Sequence, residues 1–406
     1  MPAHLTRRDF TRTTLGAAAL LAAGVETARG YAANDTIHVA CIGTGGRCRD
    51  LMTRFPKIPG VKIVAVCDVW DVHREEGRKL ADPQAVAEAD YRILLDRNDI
   101  DAVLIGTPDH WHVPITVDAC AAGKDVYVEK PLTHDLSEGE RVIEAQNSNK
   151  RVVQVGTQQR SMPHLIEARE IVRSGELGDV HKIHLSWNRN QARWDRNKLN
   201  IDPSGVDWKA FLGNAPVQPF DAYRFRNWRW FWDFGGGIFT DLMVHWIDTA
   251  HWMLDMSAPS TAASLGDHFA TEGLWETPDT VQTLLRYPEQ HIQAYFEGTF
   301  VNHRNRAMLE IMGTKATLYC DRGRYEVIPE QGGGVKPRER IDSEGERGAD
   351  FFAGVDGELL HLTNWLECVR SRNKPHCPAE DGVHAAAAAH LANRSLRAGQ
   401  MASWKQ

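Results

Sequence analysis

A glycine-rich loop near the start of the chain stands between an apolar run and a helical stretch. The run Ile37–Ile42 precedes Gly43-Thr44-Gly45-Gly46-Arg47-Cys48. Further apolar runs follow, and they are continuous rather than alternating, as in strands that are buried on both faces of a parallel sheet. Helix-length stretches separate them, which predicts a doubly wound α/β sheet. The other predicted strands are Val61–Cys67, Ala102–Ile105, Val126–Val128 and Val152–Val155, and the predicted helices are Val69–Leu80, His112–Ala122 and Leu136–Asn149.

The loop has the chemistry of a dinucleotide site. Glycines between a strand and a helix let backbone amides and the helix N-terminus approach a pyrophosphate. Gly43 and Gly45 occupy the first two glycine positions of this fingerprint, and Cys48 replaces the third. Asp68 ends the second predicted strand, where a carboxylate binds ribose hydroxyls and repels a 2′-phosphate. We therefore expect NAD rather than NADP, although Arg74 could reverse that preference; a tight turn with a capping aspartate is the simpler alternative.

The pattern changes after Gly156. A helix at His164–Ser174 and a strand at Val180–Asn188 are followed by a long aromatic stretch and a helix at Ile238–Leu254. Strand-like runs linked by tight turns then predict an α+β domain with an open, mainly antiparallel sheet. Those runs are Thr280–Tyr287, Ile292–Thr299, Ala307–Met312, Ala316–Tyr319 and Arg324–Ile328, followed by a polar loop at Pro329–Asp350 and helices at Glu358–Ser371 and Ala379–Ala398. The predicted domains are residues 34–157 and 158–406.

Two stretches carry candidate catalytic groups. In Glu129-Lys130-Pro131, Lys130 follows a predicted strand at the carboxyl edge of the sheet, where it can donate to a reacting oxygen. On a helix, Asp241, His245 and Asp248 share one face among apolar neighbours, and a histidine oriented by a carboxylate is a general acid/base. The alternatives are a solvated loop lysine and a buried histidine that anchors the helix.

Together these motifs resemble one known family. The chain from about Thr36 to its C-terminus is similar to the glucose-fructose oxidoreductase and inositol dehydrogenase (Gfo/Idh/MocA) family. The resemblance is carried by the glycine loop, the Asp241-to-His245 spacing and the segments Thr107-Pro108-Asp109-His110-Trp111-His112, Glu129-Lys130-Pro131 and Gly156-Thr157-Gln158-Gln159-Arg160. Cys48 departs from the family's usual third glycine.

The resemblance implies a nicotinamide-binding Rossmann domain, a substrate domain with an open sheet, and a homo-oligomer, a dimer or tetramer. It makes Lys130 the residue that positions the hydroxyl and the cofactor, His245 the acid/base and Asp241 its partner. The predicted cofactor contacts are Gly43, Thr44, Gly45, Gly46, Arg47, Asp68, Thr107, Pro108, His112, Glu129, Lys130 and Gln158.

Aromatic residues before the catalytic helix suit a sugar or polyol. Flat rings can cover the apolar face of a pyranose, or they can simply pack between domains. The rings are those of Tyr223, Phe225, Trp228, Trp230, Phe231, Trp232 and Phe234, and the predicted substrate contacts are Arg160, Tyr223, Trp230 and Asp248.

The first residues resemble an export signal. Arg7-Arg8 precede an alanine- and leucine-rich run at Leu15–Gly24 and small-residue cleavage candidates at Ala28–Ala33. This order predicts a twin-arginine signal peptide at residues 1–33, read by the Tat translocase and placing the protein in the periplasm or otherwise outside the cytoplasm. The run is shorter than the roughly 20 residues of a bilayer span, so no stable membrane insertion is expected. A frayed helical N-terminus is the alternative.

Charge and cysteine content limit the classes of partner and cofactor that we expect. The net charge is −7 and the basic residues form no stripe, so neither nucleic acid nor an anionic membrane is expected as a partner. The seven cysteines show no Cys-x-x-Cys spacing, which predicts no metal site, no redox pair and no structural disulfide.

Three functions are compatible with these residues. In the first, His245 removes a proton from a secondary hydroxyl of a sugar, polyol or glycoside, Lys130 stabilises the oxygen, and the hydride passes to the nicotinamide. Because no NAD pool is expected outside the cytoplasm, the cofactor would be tightly held and recharged in place. The second function is an NAD-dependent glycoside hydrolase that works by oxidation, elimination, hydration and reduction. The third is a non-catalytic sugar- or cofactor-binding protein.

Overall fold

The described chain forms two sheets. The computed structural model describes residues 36–190, 199–343, 346–349 and 354–404, and the predicted leader at residues 1–33 lies outside them. One sheet has six strands and the other has nine. The first is parallel throughout, and the second is mainly antiparallel. This arrangement confirms the predicted fold class.

The parallel sheet has a reversal of strand order at its centre. Its strands are β1 (Ile37–Ile42), β2 (Val61–Cys67), β3 (Val86–Glu88), β4 (Ala102–Ile105), β5 (Asp125–Val128) and β6 (Val153–Val155). They lie in the order β3-β2-β1-β4-β5-β6, so the order reverses between β1 and β4. The carboxyl edge at such a reversal is where open α/β sheets bind ligands. The sequence prediction lacks β3, because its residues form no buried apolar run.

Five helices accompany this sheet. They are α1 (Gly46–Met52), α2 (Asp71–Arg78), α3 (Tyr91–Leu95), α4 (His112–Ala121) and α5 (Gly139–Ser148). Asp90 caps α3 by accepting a hydrogen bond from the backbone N–H of Arg92. By contrast, Gly45 precedes α1 and no side chain caps that helix. The first-turn amides of α1 therefore face the carboxyl edge without a side-chain cap.

The second sheet pairs distant segments. Its strands are β7 (Val180–Asn188), β8 (Thr261–Asp267), β9 (Thr280–Tyr287), β10 (Ile292–Thr299), β11 (Ala307–Gly313), β12 (Ala316–Cys320), β13 (Arg324–Pro329), β14 (Arg338–Ile341) and β15 (Ala402–Ser403). Their order is β14-β13-β12-β11-β7-β10-β9-β8-β15. β8, β14 and β15 are absent from the sequence prediction, and β14 lies inside the segment predicted as a polar loop. All three lie toward the sheet's edges and have few buried residues, so they lack the apolar signal.

The later helices are α6 (Pro163–Arg173), α7 (Trp208–Leu212), α8 (Ala222–Arg226), α9 (Val244–Leu254), α10 (Gly357–Ser371) and α11 (Ala379–Ala398). Of these, α6, α9 and α11 pack against the second sheet. A π-helical turn, Phe239–Met243, leads directly into α9. Of the helices in the described ranges, none is both long enough and apolar enough to span a bilayer.

The C-terminal part of the chain returns to the first sheet. Leu362, Trp365 and Leu366 of α10 are fully buried in the core that Ile37 and Val39 of β1 help to form. The predicted assignment of all residues 158–406 to a second domain therefore differs from the packing. The sequence predicts a helix at Glu358–Ser371 but does not show which sheet it covers.

Histidines whose pKa is lowered in the folded protein make the fold sensitive to acid. Burial lowers the pKa of His110, His251 and His361 to about 3 and that of His112 and His390 to about 4, and it holds the pKa of His245 well below its usual range. The first five are neutral in the folded protein at pH 5, whereas an unfolded histidine with a pKa near 6.5 is protonated there. Unfolding at pH 5 should therefore take up protons at these histidines, and this uptake exceeds the one proton released by Asp109, whose pKa burial raises to about 8. Stability should therefore fall as pH drops below about 6.5. Urea denaturation across pH 7 to 5 measures this; a free energy of unfolding that is flat over that range would contradict it.

Candidate active site

Two adjoining cavities lie at the carboxyl edge of the parallel sheet. The first, of about 720 Å³, is lined by Gly43, Gly45, Gly46 and Asp68 and is called here the glycine-loop cavity. The second, of about 620 Å³, is lined by Lys130, Asp241 and His245 and is called the lysine cavity. Arg47, Gly106, Thr107, Arg226, Trp228 and Arg229 line both cavities, which therefore form one continuous cleft.

The glycine loop fits a pyrophosphate. Gly43 has φ +77°, and a Cβ there would lie 2.6 Å from Thr107, so only glycine allows this close approach. A Cβ on Gly46, by contrast, would meet nothing within 4 Å, which leaves room beside the start of α1. The buried Thr107 Oγ1 has no hydrogen-bond partner in the described chain and lies at the same cavity. Uncapped helix amides, open space and this hydroxyl together suit a phosphate-bearing cofactor.

Cys48 occupies the third glycine position, and the fold has room for its side chain there. The residue is fully buried, and Gly106, just after β4, lies directly against it. A Cβ on Gly106 would come within 2.8 Å of the Cys48 Cβ. The small residue at 106 therefore makes room for the cysteine, and helix α1 keeps its close packing on the sheet. All seven cysteines are free and buried: Cys41, Cys48, Cys67, Cys120, Cys320, Cys368 and Cys377.

Asp68 lies where the sequence predicts a ribose ligand. It follows β2, lines the glycine-loop cavity and accepts a hydrogen bond of 2.9 Å from the backbone N–H of Trp70. The guanidinium of Arg74 donates to the main-chain oxygen of Asp68 at 2.9 Å, and Arg74 is not among the residues that line the cavity. Thr44 also differs from its predicted role, since its buried hydroxyl donates to the His73 carbonyl oxygen at 2.9 Å and packs against Gly77.

The remaining predicted cofactor contacts each line one or both of the two cavities. Arg47 donates to Glu129 at 3.0 Å and lies 3.3 Å from Glu358, which joins the glycine loop to α10. Gln158 lines the lysine cavity, as does His112. The two ring nitrogens of His112 lie 2.6 Å from the Pro131 carbonyl oxygen and 3.0 Å from the Thr107 carbonyl oxygen. This imidazole therefore connects the loop after β4 with the loop after β5, on which Lys130 lies. Pro108 lines the glycine-loop cavity.

Lys130 is held by Asp241. Its Nζ donates to the main-chain oxygen of Asp241 at 2.6 Å and to the side-chain Oδ1 at 3.1 Å. Arg229 Nε donates to the same Oδ1 at 3.2 Å. Burial alone would raise the pKa of Asp241, but Lys130 and Arg229 outweigh it and lower the pKa to about 2. Asp241 is therefore a carboxylate at neutral pH, and it fixes the position of the lysine ammonium.

His245 lies in the same cavity as a neutral base. Burial, together with the charges of Lys130 and Arg322, holds the pKa of His245 well below its ordinary range. Its Nδ1 is buried and has no hydrogen-bond partner in the part of the chain that the structure describes. The indole of Trp187 lies 5.2 Å from the imidazole, centroid to centroid. An uncharged imidazole of this kind can accept a proton from a ligand in the cavity.

Asp241 is not the hydrogen-bond partner of His245, which corrects that prediction. The carboxylate of Asp241 bonds to Lys130 and Arg229, and none of the hydrogen bonds among the described residues joins it to His245. The cause is the π-helical turn Phe239–Met243. A π-turn closes i to i+5 hydrogen bonds, so a spacing of four no longer places two side chains on one face.

Three predicted substrate contacts lie outside the cleft. Arg160 and Asp248 are buried together, with Arg160 Nη2 2.7 Å from Asp248 Oδ1. The Tyr223 hydroxyl is also buried and accepts a hydrogen bond of 3.0 Å from Trp275 Nε1. These residues therefore support the core, and of the four only Trp230 lines the lysine cavity. Five of the seven aromatic residues belong to the hydrophobic core, namely Tyr223, Phe225, Trp230, Phe231 and Phe234, and Phe225 also lines the glycine-loop cavity.

The structure adds cavity residues that the sequence prediction does not assign. Asp109 lines the lysine cavity, and burial raises its pKa to about 8, so it is mostly protonated at neutral pH. Trp187 and Arg189 lie at the end of β7, and Arg322 lies between β12 and β13. A polar residue directly after a buried strand was a usable signal for Arg189. Arg322 gave no such signal, because only the sheet pairing brings its hairpin to the cavity.

A segment of the second domain closes over the glycine-loop cavity. Residues 203–214, called here the strap, cross back to the first sheet, where Val206 pairs with Trp70. The Asp207 backbone N–H donates to the Val69 carbonyl oxygen at 2.8 Å, and Trp111 Nε1 donates to the Phe211 carbonyl oxygen at 2.9 Å. Residues of the strap that line the cavity are Asp207, Lys209, Ala210, Phe211, Gly213 and Asn214. The cavity is therefore bounded by both domains.

Comparison with known families finds matches in both halves. The Gfo/Idh/MocA model described as an oxidoreductase family with an NAD-binding Rossmann fold matches residues 37–157. The model of the GFO/IDH/MocA C-terminal domain matches residues 165–319. An inositol 2-dehydrogenase of Pseudarthrobacter chlorophenolicus is 32% identical over 193 residues, which are 47% of this chain and 54% of the relative. The chain thus aligns with only about half the length of that curated relative.

Solved structures share the fold over most of the chain. Levoglucosan dehydrogenase in complex with NADH and levoglucosan has a TM-score of 0.71 at 18% identity, covering 91% of this chain and 100% of the other. Aldose-aldose oxidoreductase from Caulobacter crescentus, complexed with glycerol, has a TM-score of 0.67 at 19% identity, covering 91% and 99%. At these identities the likeness shows the arrangement of the two domains.

Proposed function

Because the chain belongs to the Gfo/Idh/MocA family of NAD-binding oxidoreductases, we propose that it transfers a hydride between NAD and a secondary hydroxyl or ketone of a sugar or polyol. One observation carries this proposal: the glycine-loop cavity opens into the cavity that holds Lys130 and His245. A cofactor site and an acid/base pair thus share one cleft. The carbohydrate substrate is supported by relatives named for inositol, levoglucosan and aldose substrates.

Different residues of the lysine cavity have different roles in the reaction of a substrate hydroxyl. His245 accepts the hydroxyl proton, since it is neutral and its Nδ1 is available. Lys130 donates to the developing oxyanion, and Asp241 holds the ammonium in place. A nicotinamide bound beside them supplies the hydride acceptor, or the donor in the reverse direction.

Asp68 supports NAD over NADP. Its carboxylate lies at the glycine-loop cavity at the end of β2, where it suits the two free ribose hydroxyls and repels a 2′-phosphate. Arg74 is engaged at the main-chain oxygen of Asp68, so it does not supply a phosphate site in this arrangement.

We propose further that the cofactor is retained through export. The twin-arginine motif at Arg7-Arg8 favours a destination without an NAD pool, and the strap supports retention because both domains enclose the glycine-loop cavity. Purified mature protein should then release about one NAD per chain on denaturation, identified by absorbance and mass. A cofactor-free mature protein that requires added NAD would exclude retention of the cofactor through export, and the dehydrogenase activity would still be possible.

A glycine substitution tests the strap itself. Gly213 has φ +55°, and a Cβ there would lie 2.5 Å from the Trp111 ring. Gly213→Ala should push the strap from the first domain and raise the NAD dissociation rate by about tenfold, a change of about 1.4 kcal/mol in retention. Gly273→Ala is the matched control, since Gly273 has φ +70° and open space around it. Equal dissociation rates in the two variants would show that the strap does not retain NAD.

The activity is tested by a single turnover. NAD-loaded protein is mixed with a panel of sugars, polyols and glycosides, and reduced nicotinamide is followed by absorbance. Reduction of the bound cofactor by a free sugar or polyol is the expected result. Release of an aglycone with no net change in absorbance would instead establish the glycoside-cleaving reaction. If no compound of the panel either reduces the bound cofactor or releases an aglycone, the proposal is contradicted.

Self-association is also proposed. The outer face of the second sheet carries the exposed apolar residues Leu265 and Leu284, which are 76% and 57% exposed. These residues lie on neighbouring strands and support a homo-oligomer that covers this face.

A further inference from the structure

Asp109 is a buried carboxyl group in the lysine cavity without an ion pair. It is 4% exposed, and it lines the same cavity as Lys130, Arg229 and Asp241. Lys130 and Arg229 both pair with Asp241, at 3.1 and 3.2 Å, and none of the ion pairs among the described residues includes Asp109. A buried carboxylate without a paired cation is costly, so the uncharged acid is the more stable form.

The surroundings of Asp109 favour the same protonation state. Burial is the largest influence on its pKa, and the negative charge of Asp241 acts in the same direction. Lys130, Arg229 and the Thr240 hydroxyl oppose these two effects, and the balance raises the pKa to about 8. At neutral pH Asp109 therefore carries a proton and can donate a hydrogen bond, whereas Asp241, whose pKa is lowered to about 2, can only accept one.

Adjacent strands bring Asp109 and Lys130 to the same edge of the first sheet. Asp109 lies in the loop after β4, and Lys130 lies in the loop after β5. These two strands pair in parallel, so their carboxyl ends lie side by side. His112 holds the two loops together, because its ring nitrogens lie 3.0 Å from the Thr107 carbonyl oxygen and 2.6 Å from the Pro131 carbonyl oxygen. A neutral donor and a charged donor thus lie at neighbouring strand ends in one cavity.

We propose that Asp109, as an uncharged acid, donates a hydrogen bond to the oxygen on the reacting carbon and is a second donor to that oxygen beside Lys130. This inference rests on the proposed function and adds a catalytic residue to it. When the substrate hydroxyl gives its proton to His245, negative charge develops on this oxygen, and donors that are already in place stabilise it. A carboxylic acid that its site keeps neutral can fill such a role. Asp109 keeps its own proton throughout, so His245 remains the base.

The pH dependence of hydride transfer separates a donor from a structural side chain. Oxidation of a sugar or polyol from the panel is followed with NAD-saturated protein between pH 7 and 10. The value of kcat/KM should fall to about a tenth by pH 9, because about a tenth of a carboxyl group stays protonated one unit above its pKa. His110 and His112 have pKa values of about 3 and 4, and that of His245 is well below its usual range, so these imidazoles stay neutral throughout.

Two substitutions of Asp109 give opposite results. Asp109→Asn should abolish the alkaline fall and keep kcat/KM at pH 7 within about tenfold of the wild type, because an amide donates at every pH. Asp109→Ala should lower kcat/KM at pH 7 by about 100- to 1,000-fold, the usual cost of one oxyanion donor. Asp96→Asn is the matched control, since Asp96 is exposed and lines neither cavity. NADH affinity and melting temperature show whether each variant is folded; if Asp109→Ala is not, the pH profile of Asp109→Asn carries the test.

The outcomes separate this inference from the proposed function. An alkaline fall that persists in Asp109→Asn would come from another group and would overturn the inference. A wild-type profile that is flat to pH 10, or an Asp109→Asn protein as slow as Asp109→Ala at pH 7, would overturn it as well. In each of these cases hydride transfer still occurs, so the proposed function stands. If no compound of the panel reduces NAD bound to the wild-type protein, the proposed function fails and this inference fails with it.

Discussion

His245→Gln is expected to lower kcat by about a hundredfold to ten-thousandfold, the usual contribution of a positioned general base. His245 is neutral, buried and free at Nδ1 within the described structure, so no other group in the cavity is as well placed to take the hydroxyl proton. Lys130 is a donor, and Asp241 is occupied by Lys130 and Arg229. Glutamine keeps the side chain polar and of similar length but cannot act as a base. Steady-state rates with a substrate from the panel measure the effect.

The control for this variant separates chemistry from binding. NAD affinity and the KM of the carbohydrate should change little, because His245 lines the lysine cavity but not the glycine-loop cavity. His181→Gln, at an exposed position on β7, should leave kcat unchanged. A His245→Gln protein that keeps more than about a tenth of the wild-type kcat would show that the base is another group.

Lys130→Met is expected to lower kcat by about a hundredfold to a thousandfold and also to destabilise the fold. The rate falls because the developing oxyanion loses its donor. Stability falls because Arg229 is then the one remaining ion-pair partner of Asp241 among the described residues, in a site where the Lys130 and Asp241 side chains are 11% and 18% exposed. Removal of one partner of a buried pair costs about 3–5 kcal/mol, and we expect the lower end since Arg229 remains. Chemical denaturation and kinetics measure the two effects separately.

The double variant Lys130→Met/Asp241→Asn tells these effects apart. Asparagine removes the uncompensated carboxylate, so the free energy of unfolding should recover by about 1–3 kcal/mol relative to Lys130→Met alone. The rate should stay low, since the donor is still missing. Recovery of both stability and rate would mean that Lys130 acts only through the fold, which would contradict its proposed role.

Local patterns in the sequence predict most of the fold. Continuous apolar runs gave the five buried strands of the first sheet, and strand-like runs linked by tight turns gave β9 and β10 with the bounds that the structure has. Short strands with few buried residues, such as β3 and β14, leave no such pattern. The sequence also did not show that α10 packs on the first sheet. A predicted helix indicates that one of its faces is buried, but not against which element.

The sequence predicted which side chains lie at the candidate site, but not which side chains pair with each other. Gly43, Asp68, Lys130 and His245 all lie at the cleft, since each stands at a strand end or on a helix that the βαβ pattern places there. The partner of Asp241 depended on a π-helical turn that residue spacing does not reveal. Arg160 and Asp248 formed a buried ion pair across 88 positions of the chain, which only tertiary structure could show.

The most direct test of the central claim follows one hydrogen atom. NAD-loaded protein is given one turnover of a substrate that carries deuterium on the carbon of its reacting hydroxyl, and the nicotinamide is then released and weighed by mass spectrometry. We predict deuterium on the nicotinamide, and none when His245→Gln protein is used for the same time. Oxidised product with the deuterium lost to water, and none on the nicotinamide, would contradict the assignment of this cleft as a hydride-transfer site.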